Sequence, residues 1–160
     1  MNKVNGKKTS FAPIREDGSR ITICYGLKKL SGDLYEWFEV YLPKKQLPQL
    51  TFADVKAAII ADIDERVKAQ IISGMTWNGK PVWYNIENQL NFTNATAPVT
   101  LKIGEQEDGT AIYEAFNTAE ELTTFCAACN AHKQNALTAG WAEKDGIDWK
   151  PYEDYFNTEE

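Results

Sequence analysis

The chain has 160 residues, of which 43% are apolar, 25% charged and 12% aromatic, the composition of one ordinary globular domain or two small coupled modules. The formal net charge of −6 argues against a nucleic-acid partner, which calls for a basic surface. No run approaches the ~18 apolar residues that a membrane-spanning helix needs, so no membrane partner is expected.

From the start, "MNKVNGKKTS" is polar and lysine-rich and reads as a loose arm. With no apolar stretch behind its lysines it predicts no export signal, and so a chain made in a cytoplasm. "RITICYGLKKL" and "LYEWFEVYLP" are rich in β-branched and aromatic residues and read as two strands, with "SGD" at 31–33 as the turn between them. On the second strand Phe38, Val40 and Leu42 share one face and Tyr35, Trp37 and Tyr41 the other, so both faces should be at least partly covered. Pro43 and Pro48 break the pattern and mark a linker. The expected organisation is an N-terminal β-hairpin module with a polar arm over 1–49 and a closely coupled second part over 50–160.

The clearest helix is "TFADVKAAIIADIDERVKAQIISG", about 51–73. Thr51 suits the N-cap and Asp54 adds negative charge to the first turn. Phe52, Val55, Ile59, Ile63, Val67 and Ile71 form one apolar stripe. Asp62 with Arg66 and Asp64 with Lys68 are i,i+4 pairs on the wet side, and Gly74 suits the C′ position. In "MTWNGKPVWYN", Asn78-Gly79 is a strong type I′ hairpin signal. Trp77 and Trp83 flank it; that arrangement suits a cross-strand stack and, less often, a sugar-binding platform. "IENQLNFTNATAP" reads as polar and irregular, and its sequons at Asn91 and Asn94 are taken as chance. "VTLKI", "EDGT" and "AIYEAF" read as strand, turn and returning strand, with Val99, Leu101 and Ile103 on one face. Thr118 with Glu121 forms a capping box that opens a second main helix, about 118–139, closing at Gly140. The aromatic, acidic tail "WAEKDGIDWKPYEDYFNTEE" is expected to dock on the domain or on a neighbour. Strands and helices are segregated, so the fold class is α+β, with small antiparallel β-hairpins packed against two main helices.

The stretch "FCAACNAH" is the one with the look of chemistry, a C-x-x-C pair followed by the chain's single histidine, His132. On the capped helix, Leu122, Phe125, Cys129 and Ala136 fall on one inward stripe, with Cys126 and His132 at its margins. A redox motif would open a helix, where the dipole lowers a thiol pKa, and this one lies two turns in. A structural zinc site takes four ligands, and one helix does not wrap Cys126, Cys129 and His132 round a tetrahedral ion. These three are therefore weak metal candidates only; no metal, cofactor or catalytic residue is assigned. The sequence contains no phosphate-binding loop, no G-x-S-x-G and no H-E-x-x-H.

The order of motifs resembles a family. "YGLKKLSGDLYEWFEVYLP" resembles a recurring segment of small proteins encoded among phage and prophage tail genes, especially in gut bacteria. The long helix, "SGMTWNGKPVWYN" and "FNTAEELTTFCAACNAHKQNAL" resemble a phage-associated domain family of unknown function that pairs a G-x-x-W-x-G hairpin with a late helix carrying an aromatic, a histidine and small residues. The resemblance covers roughly 20–145. It implies a non-enzymatic structural or attachment protein of the phage tail or fibre, located in the tail region of the virion and made in the host cytoplasm. Its partners would be other phage tail or fibre proteins and further copies of itself. The interface is expected to use helix 51–73 with Trp37, Trp77, Trp83, Trp141, Trp149, Tyr152, Tyr155 and Phe156. The alternatives are a transient tail-fibre assembly chaperone and a small metal- or thiol-dependent enzyme.

Overall fold

A computed structural model describes residues 2–44 and 50–157. The fold is α+β, as expected: the described residues form eight strands, all pairing antiparallel, and four α-helices. They make two compact units, one of 1–64 with 141–160 and one of 65–140. The expected division at 49/50 falls at the edge of residues 45–49, outside the described residues, as does Pro48. The compact units divide the chain differently, because the chain's end folds with its beginning and both main helices run from one unit into the other.

In the first unit, β1 (Asn2–Lys7), β2 (Ile14–Asp17), β3 (Arg20–Ser31) and β4 (Leu34–Pro43) form a sheet of order β1-β4-β3-β2. The expected arm is thus an edge strand, with Val4 opposite Trp37. Gly18 (φ 57°) and Gly32 (φ 52°) make the tight turns on either side of β3. Gly26 (φ 68°) sits where β3 bulges, so Tyr25 faces Phe38 but Lys28 faces Glu36.

One face of this sheet buries Ile14, Ile21, Ile23 and Tyr25. The Tyr25 hydroxyl donates to Asp62 at 2.5 Å on α1 (Phe52–Ser73), whose Val55, Ile59 and Ile63 are fully buried. Each of those three side chains contributes about 1.5–3 kcal/mol of burial. Thr51 caps α1 reciprocally: its backbone N–H donates to Asp54 Oδ2 at 2.9 Å, and the Asp54 N–H donates to Thr51 Oγ1 at 3.3 Å. Of the expected surface pairs, Asp64 receives Lys144 instead, and Lys68 lies 3.9 Å from Glu65. The tail docks as α4 (Lys150–Asn157). Tyr152 is buried with its hydroxyl donating to the Cys24 carbonyl at 2.6 Å, and Trp149 packs edge-on against Phe52.

The second unit holds the ribbons β5 (Met75–Trp77) with β6 (Lys80–Val82) and β7 (Val99–Glu105) with β8 (Ala111–Phe116). Asn78 (φ 49°) and Gly79 (φ 76°) make the turn that their dipeptide demands. The segment read as irregular contains α2 (Ile86–Asn94), capped by Asn85, whose side chain accepts from the Asn88 N–H at 2.8 Å. α3 (Ala119–Asp145) starts at the expected Thr118–Glu121 capping box. It does not close at Gly140. That glycine lies inside the helix and is buried, and a Cβ there would stand 2.4 Å from Val67 Cγ2, so its function is close packing. Gly74 likewise has no positive φ; a Cβ there would meet the Gln70 carbonyl oxygen at 2.4 Å.

Phe125 centres this unit's core. Its ring lies 4.9 Å from Phe116, 5.0 Å from Phe92 and 5.2 Å from Trp77. The inward stripe of α3 is the one its spacing predicts: Leu122, Phe125, Cys129 and Ala136 are buried, with Cys126 and His132 at the margins.

Candidate functional site

The cysteine and histidine side chains of α3 are each held by packing. The Cys126 thiol donates to the Phe92 carbonyl at 3.4 Å. Cys129 is fully buried, and burial pushes its thiol up to about 12, so it carries no thiolate near neutral pH. Burial also raises Cys126. His132 Nε2 lies 2.8 Å from the Gln70 carbonyl on α1. Its ring is thus turned toward the neighbouring helix backbone. Among the described residues no group of three or more His, Cys, Asp or Glu is placed to share a metal ion.

The eight aromatic interface candidates divide. Trp37, 2% exposed, is a core residue of the sheet: its ring covers Gly6, where a Cβ would come within 2.6 Å, and meets Phe11 edge-on at 6.0 Å. Tyr152 is buried by its bond to Cys24. Trp77 is half-buried on Phe125, and Trp149, Tyr155 and Phe156 are half-buried. The expected stack of Trp77 on Trp83 does not form, because Lys80 stands opposite Trp77 and Trp83 lies beyond the paired residues. Only Trp83 (37% exposed) and Trp141 (54%) remain on the surface.

Two constellations were not read from the sequence. In the first unit, Glu39 sits 6% exposed on the sheet face opposite Tyr25. Its Oε1 accepts from Arg15 Nη2 at 2.9 Å and Trp37 Nε1 at 3.1 Å, and its Oε2 accepts from the Tyr41 hydroxyl at 2.8 Å. Arg15 Nε also donates to Asp17 at 2.9 Å, and Thr22 donates to the same carboxylate at 2.6 Å. Burial alone would raise the Glu39 pKa, but the Trp37, Tyr41 and Arg15 bonds outweigh it and hold the carboxyl below its ordinary value. Cys24 lies beside this network and burial pushes its thiol up to about 11. With both Glu39 oxygens engaged by internal donors, the cluster fixes strand register and Glu39 is no free base.

In the second unit, α2 and β7 border an open groove of about 500 Å³. Trp83 forms part of its wall, with Asn88, Asn91 and Asn94 along α2 and Lys102 and Glu105 on β7. The Trp83 backbone is clamped at both ends: its N–H donates to the Ile103 carbonyl at 2.8 Å, and its carbonyl accepts from Asn88 Nδ2 at 2.7 Å. Gly104 lets β6 lie close to β7, since a Cβ would stand 2.4 Å from the Pro81 carbonyl oxygen. The readable signal for this site was the Asn85 N-cap, which turns a polar segment into a helix whose amides line one wall. No protein-family model matches the chain, and neither a curated protein nor a solved structure matches it.

Proposed function

We propose that the chain is a non-enzymatic phage tail- or fibre-associated structural or attachment protein that works through protein–protein interfaces, with other tail or fibre proteins and further copies of itself as partners. The observation that carries this reading is a pair of apolar side chains one turn apart on α2, Ile86 at 78% and Leu90 at 60% exposed. They stand on a nine-residue helix and neither lines the groove. In the other unit Leu30, Leu34 and Trp141 are exposed, the first two at the tip of the β3–β4 hairpin. Apolar groups left in water at defined places suit an interface. The thiols and His132 are committed to packing and hydrogen bonds, which favours this reading over thiol or metal chemistry. The phage setting comes from the resemblance over 20–145.

Light scattering on the protein alone, and mixed with phage tail-fibre protein, tests the proposal. Self-association or a complex is expected, weakened by Ile86→Lys with Leu90→Lys. A strict monomer that binds neither fibre nor virion refutes it. Mass spectrometry of purified particles separates a virion component from an assembly chaperone, which would be absent from them.

A further inference from the structure

We infer that the groove between α2 and β7 is a binding site for an uncharged oligosaccharide, with Trp83 as the stacking surface and the amides of Asn91 and Asn94 as the hydroxyl readers. The inference is independent of the function proposed above, because neither Ile86 nor Leu90 lines this groove. Its volume, about 500 Å³, lies within the roughly 300–1,000 Å³ of small-ligand sites.

Three features select the ligand class. The indole of Trp83 is exposed and its backbone is bonded at both ends, so a flat apolar surface is carried on a fixed stretch of chain in the groove wall. The apolar C–H face of a pyranose fits such a ring. Asn91 and Asn94 recur at helical spacing on the same wall, and among the described residues their amides have no internal partner. Each amide offers a carbonyl acceptor and an NH₂ donor side by side, which matches vicinal hydroxyls. The Lys102 ammonium is occupied by Glu105, and Glu87 adds a second carboxylate to the lining. The groove therefore lacks a free cation for a phosphate, sulfate or sialic acid, and its carboxylates repel them.

The test is titration of the full chain with chitotriose, maltotriose and cellotriose, with 3′-sialyllactose and inorganic phosphate as charged probes, followed through the Trp83 indole N–H and the Asn91 and Asn94 side-chain NH₂ resonances. A saturable shift of these signals with at least one neutral trisaccharide is expected. Affinity should fall about tenfold or more in Trp83→Ala and in Asn91→Ala with Asn94→Ala, and stay unchanged in Trp141→Ala. All of these are exposed positions, and unchanged amide dispersion verifies that the variants fold. No shift with any of the three neutral sugars overturns the inference, as does a shift that survives Trp83→Ala or tighter binding of either charged probe.

Discussion

Glu39→Ala should be among the most damaging single changes in the first unit. The carboxylate is almost wholly buried and accepts from Arg15, Trp37 and Tyr41. Truncation strands the Trp37 indole N–H in the sheet interior, and an orphaned buried donor costs about 1–3 kcal/mol. Tyr41 and Arg15 lose less, because both are partly exposed and take up water; Arg15 keeps Asp17, and its solvent-screened share is about 0–1 kcal/mol. With the lost packing of the buried Glu39 methylenes the total is about 3–5 kcal/mol. Glu39→Gln separates shape from charge. Its carbonyl still accepts from Trp37 and Arg15, and its NH₂ can donate to the Tyr41 oxygen, so the cost falls to about 1–2 kcal/mol. Urea unfolding of the three proteins between pH 3 and pH 8 measures both. Because the folded Glu39 pKa is depressed, its stabilisation is complete above the unfolded value of about 4.3 and is lost as pH falls through the lower folded value. The gap between the native protein and Glu39→Gln should therefore be level near neutrality and close in acid. A cost below about 1 kcal/mol for Glu39→Ala, or a gap that closes as pH rises, refutes the reasoning.

Gly104→Ala drives a methyl into the Pro81 carbonyl, so β6 and β7 must part; a loss of about 1–3 kcal/mol is expected, read as a lower urea midpoint of the second unit. The buried thiols of Cys24 and Cys129, pushed up to about 11 and about 12, should resist a disulfide reagent at pH 8 in the native state, leaving the half-buried Cys126 as the slow native reactant. All three cysteines of the chain should react after denaturation, and fast native labelling of Cys129 would contradict its place beside Phe125.

Elements whose cause is local were legible in the sequence. Asn78-Gly79 turns because both residues accept positive φ, and Thr118 with Glu121 starts α3 because each satisfies the other's N–H. The stripes of α1 and α3 follow from spacing alone. β2 had an available signal in Asp17-Gly18, a turn dipeptide with Gly18 at φ 57°. α2 had one in Asn85, but asparagine and threonine are weak helix formers, and its stability comes from burying Phe92 against Phe125 and Tyr84. β1 carried no usable pattern: Val4 is its one large apolar residue, and β4 supplies the partner that makes it a strand.

The site was harder to read for a related reason. Cysteine and histidine are rare here and fall close together, so "FCAACNAH" drew attention that its geometry does not sustain. A helix carrying residues 126, 129 and 132 sends them to three different neighbours: the Phe92 carbonyl, the Phe125 core and the Gln70 carbonyl. Glu39 and the groove are built from common residue types that only tertiary structure brings together. Arg15, Trp37, Glu39 and Tyr41 meet because β2, β3 and β4 pair in one register, and a one-residue slip would turn Glu39 to the face of Ile21 and Ile23. Trp83 meets the amides of α2 because Ile103 holds its backbone and Gly104 leaves room for the crossing. Trp37 and Trp83 are the same residue type, one within β4 and one just past the end of β6. What separates a core anchor from a surface platform is which group is bonded: Glu39, two residues along β4, satisfies the Trp37 indole inside the sheet, whereas Ile103 on β7 holds only the Trp83 backbone while its ring stays in water.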